Sequence, residues 1–182
     1  MRRVAIALVH HPVLGRSGEV LTTTLTSIDL HDIARSATTY GVEAFYVVHP
    51  LASMRMLAKR ITHHWTDGGG GKRIPPRAVA LGVLRVVAQL DEARADFGDD
   101  VELWTTAAEA HGEVTRYADA RGQLEGDGPP VMIAFGTGWG LAPELLASAS
   151  LRLEPIAAAR DAGYNHLSVR AAASITLDRL LG

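Results

Sequence analysis

Cysteine is absent from this 182-residue chain, which excludes disulfide staples, thiolate zinc sites and cysteine nucleophiles. Also missing is any apolar run near the roughly 20 residues that a membrane helix needs. The opening stretch, Met1-Arg2-Arg3-Val4-Ala5-Ile6-Ala7-Leu8-Val9, superficially resembles a secretion signal. Its apolar run is short, ends at His10-His11-Pro12 and has no small-residue cleavage site, so it reads as a buried first strand of a cytoplasmic protein. Neither charge sign dominates. The formal net charge of −2 argues against a protein that coats nucleic acid indiscriminately and leaves room for a local, specific contact. Four of the eight histidines form adjacent pairs, His10-His11 and His63-His64, and adjacent residues rarely face one ion. With no H-x-x-x-H spacing, no metal is expected. A G-x-S-x-G elbow and a P-loop lysine are lacking too.

What is present is ordinary globular composition, 47% hydrophobic and 21% charged, over a length that suits one domain, residues 1–182. No internal repeat or linker interrupts it. Strand-like and helix-like segments alternate. Val4 to Val9, Ala44 to Val48, Val101 to Thr105, Val131 to Phe135 and Leu151 to Ile156 read as strands. Helices are expected over Asp29 to Tyr40, Leu51 to His64, Arg77 to Phe97, the start of Tyr117 to Gly128, around Leu145, and Ser168 to Leu181. Asp67-Gly68-Gly69-Gly70-Gly71-Lys72 reads as a flexible surface loop. This order predicts an α/β fold, a mostly parallel sheet with helices on both faces.

Charge is unevenly spread. Arg55, Lys59, Arg60, Lys72, Arg73 and Arg77 face a single acid, Asp67, within their stretch, whereas eleven acids and three arginines lie between Asp91 and Asp127. The basic block is either a solvated helix face or a phosphate-binding surface for RNA.

Two segments carry the chemistry. The strand Val131 to Phe135 breaks into Gly136-Thr137-Gly138-Trp139-Gly140-Leu141, a loop stripped of side chains that would keep a ligand from the backbone. Its third glycine comes one residue early for a G-x-G-x-x-G dinucleotide fingerprint, and Pro143 follows closely. The second segment, Tyr164-Asn165-His166-Leu167-Ser168-Val169-Arg170, opens the last helix, with Asn165 or Ser168 as its cap. Ala171, Ala172 and Ala173 keep that first turn thin.

Read together, the glycine loop, Leu151 to Ile156 and the segment Asn165 to Ala172 resemble the SPOUT superfamily of RNA methyltransferases. The resemblance implies a C-terminal deep trefoil knot, against the general rule that chains avoid knots. It also implies S-adenosyl-L-methionine bent within that knot, and a homodimer with its sites at the interface. Asp29-Leu30-His31-Asp32-Ile33-Ala34-Arg35-Ser36-Ala37, then Tyr40-Gly41-Val42, looks like the first SPOUT motif, which makes Arg35 the catalytic arginine by resemblance. Thr105-Thr106-Ala107 resembles the loop that closes over the cofactor. The implied cofactor residues are Thr105, Thr106, Ala107, Gly136, Thr137, Gly138, Trp139, Gly140, Leu141, Asn165, His166, Leu167, Ser168 and Arg170. Two departures stand out. Asp29 replaces the usual asparagine, and Arg170 replaces a small hydroxyl residue of the ribose-methylating branch.

The expected function is therefore methyl transfer from S-adenosylmethionine to tRNA or rRNA. An inactive regulatory module that binds S-adenosylmethionine or a nucleotide is the alternative. His31, beside Asp32, is read either as a proton carrier or as a surface histidine.

Overall fold

The computed structural model describes residues 1–110, 112–160 and 163–182. Strand β1 (Val4–Val9) lies centrally, and a small hairpin, β2 (Val13–Leu14) and β3 (Val20–Leu21), follows it. Next come α1 (Ser27–Thr39), β4 (Ala44–Val48), α2 (Ala52–Thr66), α3 (Gly69–Arg73), α4 (Pro75–Gly82) and β5 (Leu84–Val87). The second half comprises α5 (Leu90–Phe97), β6 (Glu102–Thr105), α6 (Tyr117–Glu125), β7 (Val131–Gly136), α7 (Pro143–Ser148), β8 (Leu151–Arg152) and α8 (Val169–Leu181). The main sheet has the order β5-β4-β1-β7-β6-β8, with every pairing parallel.

All six residues of β1 are buried because both faces of the sheet are covered. Alternation sends Val4, Ile6 and Leu8 into one core, with Leu30 and Ile33 of α1, Leu124 of α6 and Leu177 of α8. Ala5, Ala7 and Val9 face a second core with Ala93 and Phe97 of α5 and Leu146 of α7. Among the described residues no helix is long and apolar enough to cross a membrane.

Three expectations are corrected. The helix expected over Arg77 to Phe97 is two helices around β5. Leu84 and Val87 fit a helical stripe locally, but Phe45↔Leu84 and Val48↔Val87 place that segment in a ladder with β4. Non-local hydrogen bonds override a local period there. The expected flexible loop Asp67 to Lys72 instead contains α3, with Gly70 and Gly71 buried. A Cβ on Gly71 would meet the carbonyl oxygen of Trp65 at 2.0 Å, so the glycine permits close packing, not mobility. The strand expected over Leu151 to Ile156 stops early. β8 covers Leu151–Arg152, Leu153 adds one bridge to Thr115, and Pro155, two residues on, has no N–H to donate. The hairpin β2–β3 had no counterpart among the expected elements, though Gly15 and Gly18 mark its turn.

Candidate active site

The three predicted cofactor segments meet beyond the C-terminal ends of β6, β7 and β8. Thr106 donates to the Ala134 carbonyl through both its N–H (3.2 Å) and its hydroxyl (3.1 Å), tying the loop after β6 to β7. Asn165 Nδ2 donates to the Ala108 carbonyl at 3.1 Å, and the His166 ring lies 5.8 Å from that of Trp139. Segments 105–108, 136–141 and 163–168 thus border one region. The glycine loop is shaped by its neighbours. Trp139 N–H donates to the Leu14 carbonyl at 2.9 Å, Leu14 N–H to the Gly140 carbonyl at 2.9 Å, and Gly140 N–H to the Thr137 carbonyl at 3.1 Å. Gly138 and Gly140 have φ of +61° and +109°, the left-handed side that side-chain-bearing residues avoid.

Ser168, not Asn165, caps α8; its hydroxyl accepts from the Ala171 N–H at 3.2 Å. Arg170 turns away from the cofactor segments. Its Nη1 donates to Asp29 Oδ1 at 2.5 Å and its Nε lies 3.6 Å from Asp32 Oδ2. Thr26 Oγ1 donates to the other oxygen of Asp29 at 2.6 Å. The two positions that depart from the pattern implied by the resemblance therefore pair with each other, a carboxylate with a guanidinium. The pair braces α1 against α8 beside a cavity of about 590 Å³ lined by Asp32, Arg35, Ser36, Ser168, Arg170 and Ser174, among others. Arg35 is exposed there; its backbone carbonyl accepts from the Thr39 hydroxyl at 2.8 Å, while its guanidinium has no hydrogen bond or ion pair among the described residues. His31 is not part of that lining. Its ring packs edge-on to Trp65 at 5.5 Å, and burial, then the charge of Arg77, lowers its pKa. A partly exposed ring seated on Trp65 agrees with the reading of His31 as a surface histidine.

A second polar cluster lies at the ends of β1, β4 and β7. His10 and His49 are fully buried, their rings 5.1 Å apart. The Leu51 N–H donates to His49 Nδ1 at 3.2 Å, so His49 is protonated on Nε2, which donates to the Thr23 carbonyl at 3.0 Å. Thr137 Oγ1 donates to the Val9 carbonyl at 3.1 Å and bonds the Thr23 hydroxyl, which in turn lies 3.0 Å from His10 Nδ1. With Thr137 donating to Val9, Thr23 donates to Thr137 and His10 donates from Nδ1. That leaves only an acceptor, His10 Nε2, buried and unpartnered. The network ties the glycine loop, through Thr137, to the central strand. In the sequence His10 stands out only as part of an adjacent pair and His49 not at all; the signal for this cluster is a histidine directly after each of two buried strands.

Burial, then the neighbouring His49, pushes the His10 pKa down to about 4, with a smaller upward pull from Asp29. In the unfolded chain a histidine titrates near 6.5, so between those values the unfolded state holds a proton that the native state lacks. Stability from this group is therefore present above pH 6.5 and is lost as pH falls toward 4, by roughly 3 kcal/mol. His10→Asn keeps a donor near the Nδ1 position and cannot titrate. Urea melts between pH 7 and 4.5 should show a shallower acid decline for this variant than for the parent. Parallel pH profiles would remove His10 from that role.

Of the six residues expected to contact RNA, two already have work within the fold. Arg55 Nη1 donates to the carbonyls of His49 (2.9 Å) and Pro50 (2.5 Å), and Arg77 stacks 5.3 Å from the Trp65 ring. Lys59, Arg60, Lys72 and Arg73 are exposed. Among the described residues no group of three or more histidines and carboxylates could hold a metal.

A family profile described as SAM-dependent RNA methyltransferase matches residues 3–182. The tRNA (guanine-N(1)-)-methyltransferase of Nitratidesulfovibrio vulgaris (strain Hildenborough) is 43% identical over 185 residues, covering 100% of this chain and 42% of that protein. An uncharacterized protein of Aquifex aeolicus (strain VF5) is 36% identical over 181 residues, covering 97% of this chain and 87% of its own length. The crystal structure of TrmJ from Z. mobilis ZM4 superposes with a TM-score of 0.64 at 15% identity, over 99% of this chain and 68% of that one. The fold is that of the SPOUT methyltransferases. The chain belongs to the SAM-dependent RNA methyltransferase family, whose cofactor is S-adenosylmethionine. It spans about two fifths of the length of the N. vulgaris relative.

Proposed function

We propose that this chain is a catalytic SPOUT domain that transfers a methyl group from S-adenosylmethionine to tRNA or rRNA. The observation that carries the reading is the meeting of three loops beyond β6, β7 and β8, with Arg35 in the cavity between α1 and α8. The residues present fit the cofactor. Thr105 Oγ1, at the end of β6, is buried without a partner, and the glycine loop offers backbone where side chains would intrude. Thr105 to Ala107, Gly136 to Leu141 and Asn165 to Ser168 would hold it mainly through backbone groups. Arg170 acts one step away, by bracing α1 and the segment that opens α8.

Bound S-adenosylmethionine supplies an already activated methyl group, so the protein needs no nucleophile of its own. Its tasks are to align the acceptor and to favour loss of the acceptor's proton. Arg35 would steady charge on the RNA acceptor. The resemblance further suggests a trefoil knot in the C-terminal segment and a homodimer in which Arg35 serves the partner's cofactor. Lys59, Arg60, Lys72 and Arg73 would hold phosphates, with Arg55 and Arg77 supporting that surface from beneath.

The guanine-N1 name belongs to a relative of which 58% lies outside the match, enough for another domain, so tRNA is the first substrate to test and the acceptor atom is left to measurement. Radiolabelled S-adenosylmethionine with unmodified tRNA and rRNA should give labelled RNA, and nucleoside mass spectrometry should name the product. Arg35→Ala should lower the rate at least about 100-fold. Absence of label on any RNA would overturn the enzyme reading; full activity of the variant would remove Arg35 from it.

A further inference from the structure

Three aromatic side chains at the mouth of the cofactor region face water. Trp139 is 58% exposed and Tyr164 is 74% exposed, although they are among the largest side chains in the protein. His166 stands between them, 5.8 Å from Trp139 at 71° and 5.2 Å from Tyr164 at 64°. The three rings form a continuous edge-to-face row that spans two loops, one after β7 and one before α8. Neither the Trp139 indole N–H nor the Tyr164 hydroxyl has a hydrogen-bond partner among the described residues. The other two tryptophans are covered to a greater extent: Trp104 is fully buried and donates to Glu102 at 3.1 Å, and Trp65 is partly buried among His31, His64 and Arg77.

Aromatic surface held out of the core, in an ordered row, marks a binding site. The backbone beneath Trp139 is fixed by its bond to Leu14, and the turn carrying the exposed Arg16 begins one residue after Leu14. Exposed rings with a flexible cation close by match what an unpaired nucleotide requires, a flat face for the base and a donor for its phosphate. Exposed Trp and Tyr would suit a protein interface as well, and it is the match to an RNA methyltransferase family that assigns these rings to a base.

We propose that Trp139, His166 and Tyr164 form a stacking platform for an unpaired base of the substrate RNA, next to the nucleotide that is methylated. This rests on the RNA reading above and assigns these side chains to RNA, leaving the backbone of the same loops to the cofactor. A base splayed onto the platform would hold the RNA single-stranded at the mouth of the site, so the platform selects loops and bulges over continuous duplex.

The test is equilibrium binding of a fluorescently labelled single-stranded RNA by the full chain at several salt concentrations. Trp139→Ala and Tyr164→Ala should each weaken binding about 5- to 150-fold. The slope of log affinity against log salt should stay at the parent's value, because no charge is removed. Trp139→Phe should restore affinity to within about threefold, since a ring face is retained. RNA should also quench parent fluorescence more than that of Trp139→Phe. Parent affinity in both alanine variants would overturn the platform while leaving the methyltransferase reading intact. An equal fall in S-adenosylmethionine affinity would overturn it as well, by assigning the rings to the cofactor. A parent that binds no RNA would overturn both.

Discussion

Arg170→Ala is expected to lower the unfolding free energy by about 2–3 kcal/mol, a large effect for one side chain near the surface. The reason lies in its partner. Asp29 has only 9% of its side chain exposed, and the Arg170 guanidinium is the cation bonded to it, at 2.5 Å. Removing the guanidinium leaves a carboxylate that water reaches poorly, held by Thr26 alone. Asp29→Asn combined with Arg170→Ser replaces both charges with an uncharged amide and a hydroxyl, and it should recover most of the loss. In a double-mutant cycle the two positions should couple by about 1–3 kcal/mol. Urea denaturation of the four proteins measures this directly. Strictly additive effects would show that the ion pair is incidental. Because the pair braces α1 against α8, Arg170→Ala should also loosen the cavity that presents Arg35, lowering turnover at temperatures where the chain stays folded.

Gly138→Val is expected to reduce S-adenosylmethionine affinity at least about 100-fold, the binding counterpart of a few kcal/mol of loop distortion. At φ of +61° a β-branched residue is strained, and its Cβ would lie 2.9 Å from the Leu14 carbonyl oxygen. That oxygen is backbone held in the β2 hairpin, so the glycine loop must move instead. Gly140→Ala is the comparison. It carries the strain of φ +109° but meets nothing within 4 Å, so its effect on affinity should be smaller. Calorimetry on both variants reads the difference, with a thermal melt confirming that each is folded. Unchanged affinity in Gly138→Val would show that the loop is not the cofactor site. Sequence alone would choose either glycine for this experiment. The distinction comes from the packing of Leu14 against the loop.

Most strands could be read directly because each is buried on both faces and so appears as an uninterrupted apolar run. Val4 to Val9, Ala44 to Val48 and Val131 to Phe135 are examples. The closing helix was equally legible, since Ser168 supplies a cap and the apolar stripe ends at Gly182. Residues 84–87 read equally well as helix or strand, because three apolar residues in a run of four fit either period. Only the neighbouring β4 decides between them. The glycines after Asp67 were misread because a glycine that permits mobility and one that permits contact are the same letter.

The candidate site divides along the same line. The glycine loop, Thr105 to Ala107, the segment opening α8 and the helix bearing Arg35 could be proposed from local pattern and resemblance, because each lies within a contiguous motif. The partnership of Asp29 with Arg170 joins residues 141 positions apart, and the chain from His10 through Thr23 to Thr137 joins three separate segments. By itself the sequence determined which residues are buried, where strands alternate with helices, and that one loop is cleared of side chains, since composition and periodicity act over a few residues. Tertiary structure alone decided that Arg170 faces α1, that two histidines join the network holding the glycine loop to the central strand, and that Trp139, His166 and Tyr164 align in the open. Those outcomes depend on contacts between distant segments, whose free energy exists only once the sheet has brought them together.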